Sequence, residues 1–67
     1  MIRLNGCDSD VRAGETVVAV LQSLDVRLDA PGIAVAVDGE VVPRAQWETF
    51  ALGEHARVEV LTAMQGG

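Results

Sequence analysis

The chain has 67 residues, of which 49% are apolar and 22% are charged, and ten acidic side chains against five basic ones give a net charge of -5. This length favours one small domain and argues against a large catalytic cleft, while the apolar content argues against disorder. The acidic balance argues against binding to nucleic acid or to an anionic membrane surface, and no apolar run is long enough to span a bilayer.

Two short strands are predicted at the start of the chain. Ile2 and Leu4 alternate with a polar residue, which is typical of a half-buried strand, and Asn5-Gly6 follows as a turn dipeptide. A second strand is predicted over residues 9–13.

An amphipathic helix is predicted next, with Thr16 as its candidate N-cap. Its apolar residues follow the helical spacing i, i+3, i+4, i+7 over about two and a half turns. These residues are Val17, Val20, Leu21 and Leu24. Because valine is a poor helix former, we expect packing of this stripe to hold the helix in place.

The strongest local pattern lies in residues 33–42, after a connection over residues 25–32 that Leu28 is expected to anchor. An apolar run from Ile33 is followed by Asp38-Gly39 and then by a second short run, which predicts two strands around a two-residue type I′ turn. Pro43 has no N–H to donate to a ladder, so the second strand is expected to end before it.

Residues 44–50 are predicted to form a helical turn or an irregular segment that carries both aromatic side chains, Trp47 and Phe50, at the core or its rim. Arg44 is a candidate either for partner binding or for a structural ion pair. After a turn at Gly53-Glu54, a last strand is predicted. One face of that strand carries Val58, Val60 and Thr62, and the other carries Glu59, Leu61 and Ala63.

The predicted order is strand, strand, helix, strand, strand, strand. This order indicates an α+β fold of the β-grasp, ubiquitin-like type, in which a mixed sheet of about five strands wraps around one main helix. We expect a domain over residues 1–63 and a flexible tail over residues 64–67. With a single helix to cover the sheet, the other sheet face would expose Ala34, Ala36, Leu61 and Ala63. Such a patch fits partner docking and ordinary small-residue surface equally well.

Few residues suggest catalysis. Cys7 and His55 are the only residues of their types, so a zinc site would lack ligands, and no catalytic triad, phosphate-binding loop or dinucleotide motif is present. We therefore expect no bound metal and no enzyme activity of the chain itself. A single cysteine and the lack of a signal-peptide pattern predict a cytoplasmic protein.

The most unusual feature is the diglycine at residues 66 and 67, directly after the last predicted strand. Glycine has no Cβ, so it can enter a channel too narrow for other residues and leaves its carbonyl open to attack. The Gly67 carboxylate is therefore a candidate reactive group.

Together these motifs resemble one family. Residues 37–44, which read Val-Asp-Gly-Glu-Val-Val-Pro-Arg, are followed by Trp47 and by a strand that runs into Gly66-Gly67. This arrangement resembles the ThiS family, the sulfur carrier proteins of thiamine biosynthesis, over nearly the whole chain. The diglycine alone is shared with other ubiquitin-like carriers, including the small subunit of molybdopterin synthase. Proteins of that type tend to be longer and to end in aliphatic-Ala-Gly-Gly, which residues 63–65 do not match closely.

The resemblance implies a specific role for the tail. A ThiF-type adenylating enzyme would use ATP and magnesium to activate the Gly67 carboxylate, and sulfur from a donor such as a cysteine desulfurase would replace AMP. A thiazole synthase of the ThiG type would then receive the sulfur. Gly66 would meet the steric requirement beside Gly67, Gln65 and Met64 would line the partner's channel, and Leu61 would contribute to docking. The chain itself would hold no cofactor.

Other functions stay open at this point. A related carrier could deliver sulfur to molybdopterin or to cysteine synthesis. A ubiquitin-like modifier would be joined to lysines of other proteins. A plain β-grasp binding module would carry an inert tail.

Overall fold

The computed structural model describes residues 1–62 of the chain. Its elements are β1 (Arg3–Leu4), β2 (Cys7–Asp8), α1 (Val17–Ser23), β3 (Ile33–Val37), β4 (Glu40–Val41), a 3₁₀ helix (Arg44–Gln46) and β5 (Arg57–Thr62). Within these residues the strands form one sheet in the order β2-β1-β5-β3-β4. The central strand β5 is parallel to β1, and the other neighbouring strands are antiparallel. The predicted β-grasp fold, a mixed five-stranded sheet with one α-helix, is confirmed.

The second strand was predicted too late in the chain. It covers Cys7–Asp8, and residues 9–13 do not form a strand. Asn5 and Gly6 have φ of 50° and 84°, so they form a two-residue turn of the type I′ kind, and pairing resumes at once with Leu4 opposite Cys7. Ser9 then ends the strand, since its Oγ accepts a hydrogen bond from the N–H of Val11 at 3.2 Å.

Helix α1 begins where the sequence indicates, but its capping differs. Thr16 occupies the N-cap position without a side-chain hydrogen bond to the helix. The first helical N–H groups are satisfied instead by the carbonyl oxygens of Phe50 and Trp47, which accept from Val17 at 3.2 Å and from Val18 at 3.3 Å. Contacts from the distant segment 47–50 thus replace the local cap.

The apolar stripe of the helix is one residue shorter than predicted. Val17, Val20 and Leu21 are fully buried, whereas Leu24 is the C-cap and is 39% exposed. The chain turns away from the helix at the next residue, Asp25, whose φ is 58°. The helix therefore has seven residues, about two turns.

The predicted central hairpin is confirmed. Asp38 and Gly39 have φ of 51° and 86°, as a type I′ turn requires, and Val37 lies opposite Glu40. The second strand stops at Val41, one residue earlier than expected. The N–H of Val42 still donates to the carbonyl of Val35 at 2.8 Å.

The core lies between the helix and one face of the sheet. In β5, Val58 and Val60 point into this core, whereas Thr62 is exposed. Trp47 is buried and Phe50 is half-buried, as predicted for the two aromatics. No helix within residues 1–62 has the length and apolar character needed to cross a bilayer. The buried apolar residues are Ile2, Leu4, Val11, Val17, Val20, Leu21, Val35, Val37, Val42, Trp47, Leu52, Ala56, Val58 and Val60.

Candidate functional site

One face of the sheet has no helix over it among the described residues, and we call it the open face. Ala34 lies opposite Leu61, and Ala36 lies opposite both Glu59 and Val41. Cross-strand partners share a sheet face, so these five side chains lie on the same side, away from the core. The structure therefore brings the predicted docking residues Ala34, Ala36 and Leu61 together.

The apolar part of the open face is formed by small and large side chains side by side. Leu61 is 68% exposed and Val41 is 75% exposed, while Ala34 is exposed and Ala36 is half-buried between them. The two alanines on β3 thus lie low between two protruding aliphatic side chains on the neighbouring strands. Exposed aliphatic groups arranged in this way offer contact area to an apolar partner surface.

Val41 is a member of this surface that the sequence reasoning missed. The signal was present in the hairpin, because a two-residue turn at Asp38-Gly39 fixes the register of the strands. With Val37 opposite Glu40, Val41 must share a face with Ala36. Applying the register to both strands would have identified it.

Charged residues flank the apolar part on β5 and β1. Glu59 lies opposite Ala36 on this face. Arg57 lies two residues before Glu59 on the same face of β5, and its register partner on β1 is Arg3. Arg3 forms an exposed ion pair with Asp8, with Nη1 and Oδ1 3.6 Å apart. The open face therefore has an apolar end at Leu61, next to Thr62, the last described residue of β5, and a charged end at Arg57.

Arg44 lies apart from the open face. Its guanidinium donates to the carbonyl oxygens of Leu28 and Ala30, the latter at 2.6 Å, and stacks on the Trp47 ring with 4.6 Å between the guanidinium carbon and the ring centre. It lines a shallow pocket together with Val18 of the helix layer. Through these contacts Arg44 joins the connection at residues 28–30 to Trp47, which is a structural role. Its role in docking stays a prediction.

Removing these contacts is expected to destabilise the fold measurably. We expect Arg44→Ala to lower the free energy of unfolding by about 1–2 kcal/mol, because two hydrogen bonds and a cation–π contact are lost. Arg44→Lys should lose about half as much, since one ammonium cannot satisfy both carbonyls and stack on the ring. Urea unfolding curves measure both values. Wild-type stability in Arg44→Ala would contradict the structural role.

Cys7 and His55 are both exposed. His55 occupies a turn with φ of 63°. Within residues 1–62, no three histidine, cysteine, aspartate or glutamate side chains come together as metal ligands.

The predicted tail residues Met64, Gln65, Gly66 and Gly67 lie outside the described residues, as does the predicted boundary between domain and tail. Their roles stay predictions. The structure does describe the segment that leads to them, since β5 pairs with β3 up to Thr62 opposite Ile33.

Solved structures with this architecture show the class of protein. The chain is similar to a crystal structure of the thiamine biosynthesis protein ThiS from Geobacter metallireducens, with a TM-score of 0.73, 28% identity, and coverage of 98% of this chain and 97% of that chain. It is also similar to an NMR solution structure of a thiamine biosynthesis protein from the same organism, with a TM-score of 0.73, 31% identity, and coverage of 98% and 86%. The chain is a ubiquitin-like β-grasp protein.

The family follows from the sequence comparison. The model of the ThiS family matches residues 2–67, so the chain belongs to the ThiS family. Among curated proteins, none matches the chain significantly. Because ThiS proteins are small sulfur carriers, membership of this family supports a carrier and not a catalyst.

Proposed function

We propose that this protein carries sulfur as a thiocarboxylate on Gly67 and delivers it for formation of the thiazole ring of thiamine. The observation that carries the proposal is the family match, which runs from residue 2 through the diglycine. The similarity to a thiamine biosynthesis protein over 98% of the chain supports the pathway.

The chemistry proposed for the tail begins with activation, because a carboxylate is a poor electrophile. A ThiF-type adenylating enzyme would join the Gly67 carboxylate to the AMP part of ATP, with magnesium, and release pyrophosphate. The terminal sulfur of a persulfide, supplied by a donor such as a cysteine desulfurase, would then attack the carbonyl carbon and expel AMP. A thiol would reduce the resulting acyl disulfide and leave the thiocarboxylate.

The domain would serve this chemistry by presenting the tail. The chain would bind no cofactor of its own, since ATP and magnesium belong to the adenylating enzyme. Gly66 would avoid steric conflict next to the reacting carbonyl, and Met64 and Gln65 would lie in the partner's channel. A thiazole synthase of the ThiG type would accept the sulfur, and the cytoplasm is the proposed location.

The open face is the proposed docking surface for the adenylating enzyme. Leu61, Ala34 and Ala36 form its apolar part near Thr62, the last described residue of β5, and Val41 extends it across β3. Docking there would place the partner next to the point at which β5 ends. An apolar contact of this kind binds the protein without requiring a fixed charge on the partner.

A leucine substitution tests this docking surface. We expect Leu61→Thr to raise the KM of the adenylating enzyme for the carrier about tenfold or more, because an exposed aliphatic anchor is lost. Threonine keeps β propensity, so the free energy of unfolding should change by less than about 0.5–1 kcal/mol.

The matched control is Leu24→Thr, the same replacement at an exposed leucine at the end of the helix. We expect it to leave KM within about twofold of wild type, after correction for any unfolded fraction. Equal effects of the two replacements on KM would contradict docking at the open face.

The function itself can be tested by reconstitution. Exchange of labelled pyrophosphate into ATP by the adenylating enzyme should depend on the carrier, because exchange reports reversible formation of the acyl-adenylate. The sulfur-loaded carrier should then support product formation by thiazole synthase and not by molybdopterin synthase or a cysteine-forming enzyme. Transfer to one of the other acceptors, or isopeptide conjugates with other proteins, would contradict the proposed pathway.

A further inference from the structure

The edge of β5 that faces β1 is only partly covered by that strand. β1 ends at Leu4, which lies opposite Val58, whereas β5 continues to Thr62. The chain turns away at Asn5, whose φ of 50° lies in the left-handed region. Within the described residues, therefore, no strand pairs with β5 on this side after Val58.

The side chain of Asn5 continues the pairing where the strand ends. Its backbone N–H donates to the carbonyl of Val58 at 2.9 Å, and its side-chain Oδ1 accepts from the N–H of Val60 at 2.9 Å. The side-chain Nδ2 faces the carbonyl oxygen of Val60 at the longer distance of 3.4 Å. A carboxamide has an acceptor and a donor like a peptide group, so Asn5 extends the parallel ladder by one residue.

A similar side chain holds the other end of the same strand. Asp38 also begins a two-residue turn with positive φ, and its Oδ1 accepts from the N–H of Arg57 at 3.0 Å. Arg57 is the first residue of β5, whereas Val60 is close to its end. Of these two contacts, only the one from Asn5 lies near the end from which the chain continues toward Gly67.

We propose that Asn5 is a positioning residue for the chemistry at Gly67, an inference that rests on the function proposed above. Five residues follow Thr62, and a chain of that length reaches at most about 18 Å when fully extended. With the open face docked, the direction of the last described residues of β5, up to Thr62, limits where the carboxylate can lie. Asn5 holds Val60 on the side of β5 that faces β1, whereas β3 holds the opposite side. This contact orders the end of β5 before docking, so less conformational entropy is lost on binding.

The test variant is Asn5→Gly, which permits the left-handed φ and removes the side-chain contacts to Val60. We expect faster amide hydrogen exchange at Val60 and a KM for the carrier that is about tenfold higher in ATP–pyrophosphate exchange with the adenylating enzyme. The kcat should stay within about twofold, because the partner completes the ordering at saturation. The N–H groups of Glu59 and Leu61 point toward β3, so their exchange should change less.

The matched control is Asp38→Gly, because Asp38 has nearly the same positive φ as Asn5. This variant removes the hydrogen bond from the N–H of Arg57 at the start of β5. We expect it to leave KM within about twofold of wild type, even where exchange at Arg57 accelerates. Asn5→Asp keeps the Oδ1 acceptor and should restore most of the protection at Val60 and most of the lost affinity.

The outcomes separate this inference from the function on which it rests. If wild type loads but Asn5→Gly and Asp38→Gly raise KM equally, the effect is general destabilisation and the positioning role is wrong. Faster exchange at Val60 with unchanged KM would also overturn it. If the wild-type carrier does not support exchange of pyrophosphate at all, the proposed function fails and the positioning role fails with it.

Discussion

Gly67→Ala is expected to reduce loading of sulfur at least about 100-fold, because a methyl group beside the reacting carbonyl displaces it from its attack geometry. A second variant with one alanine added after Gly67 should be equally inactive, since it moves the carboxylate by about 3.5 Å. Neither change should alter the free energy of unfolding, because the buried residues of the described domain lie between Ile2 and Val60. Thiocarboxylate formed per minute and urea unfolding measure the two effects.

The chain offers a matched control for this replacement. Gly53 has no heavy atom within 4 Å of the position that a Cβ would occupy and does not have the left-handed φ of the turn glycines. Gly53→Ala should therefore load sulfur at the wild-type rate. Efficient loading of Gly67→Ala would contradict the role of Gly67, and a loss of loading in Gly53→Ala would show that any added methyl group interferes.

Replacement of Trp47 is expected to have the largest effect on stability. Trp47 is 3% exposed, and its Nε1–H donates to the carbonyl of Val42 at 2.9 Å. We expect Trp47→Ala to lower the free energy of unfolding by about 3–5 kcal/mol. A chain of this length has a total stability of roughly 3–10 kcal/mol, so most of the fold's stability would be lost.

Trp47→Phe separates the volume of this side chain from its hydrogen bond. It keeps most of the apolar volume but leaves the Val42 carbonyl without its donor, and a loss of about 1–3 kcal/mol is expected. Both variants remove the only tryptophan of the chain, so tryptophan fluorescence cannot follow their unfolding. Circular dichroism in urea is therefore the suitable measurement. Stability within about 0.5 kcal/mol of wild type in Trp47→Ala would contradict the central place of this residue in the core.

Local patterns predicted those parts of the fold that local physics determines. The Asp38-Gly39 hairpin follows from residues that tolerate positive φ at both turn positions, and the stripe of Val17, Val20 and Leu21 follows from helical spacing. Asn5-Gly6 carried the same turn signal as Asp38-Gly39. A two-residue turn at Asn5-Gly6 places Leu4 opposite Cys7, so the second strand begins at Cys7. The predicted strand over residues 9–13 did not take this pairing into account.

Contacts between distant segments could not be predicted from spacing. The capping of α1 by carbonyls of residues 47 and 50, and the binding of two carbonyls by Arg44, depend on how separate segments pack. The same holds for Asn5, whose side chain meets Val60 across 55 positions of sequence. The candidate docking residues Leu61, Ala34 and Ala36 were found because strand alternation alone decides their face.

The central proposal is that Gly67 carries one sulfur atom, and intact-mass measurement tests it most directly. The wild-type carrier would be incubated with the adenylating enzyme, ATP, magnesium, a persulfide donor and a reducing thiol, with a reaction lacking ATP as the control. We expect a mass gain equal to the exchange of one oxygen for one sulfur, located at Gly67 by fragmentation and absent without ATP. An unchanged mass in the complete reaction, or sulfur located at Cys7 instead, would contradict the proposal.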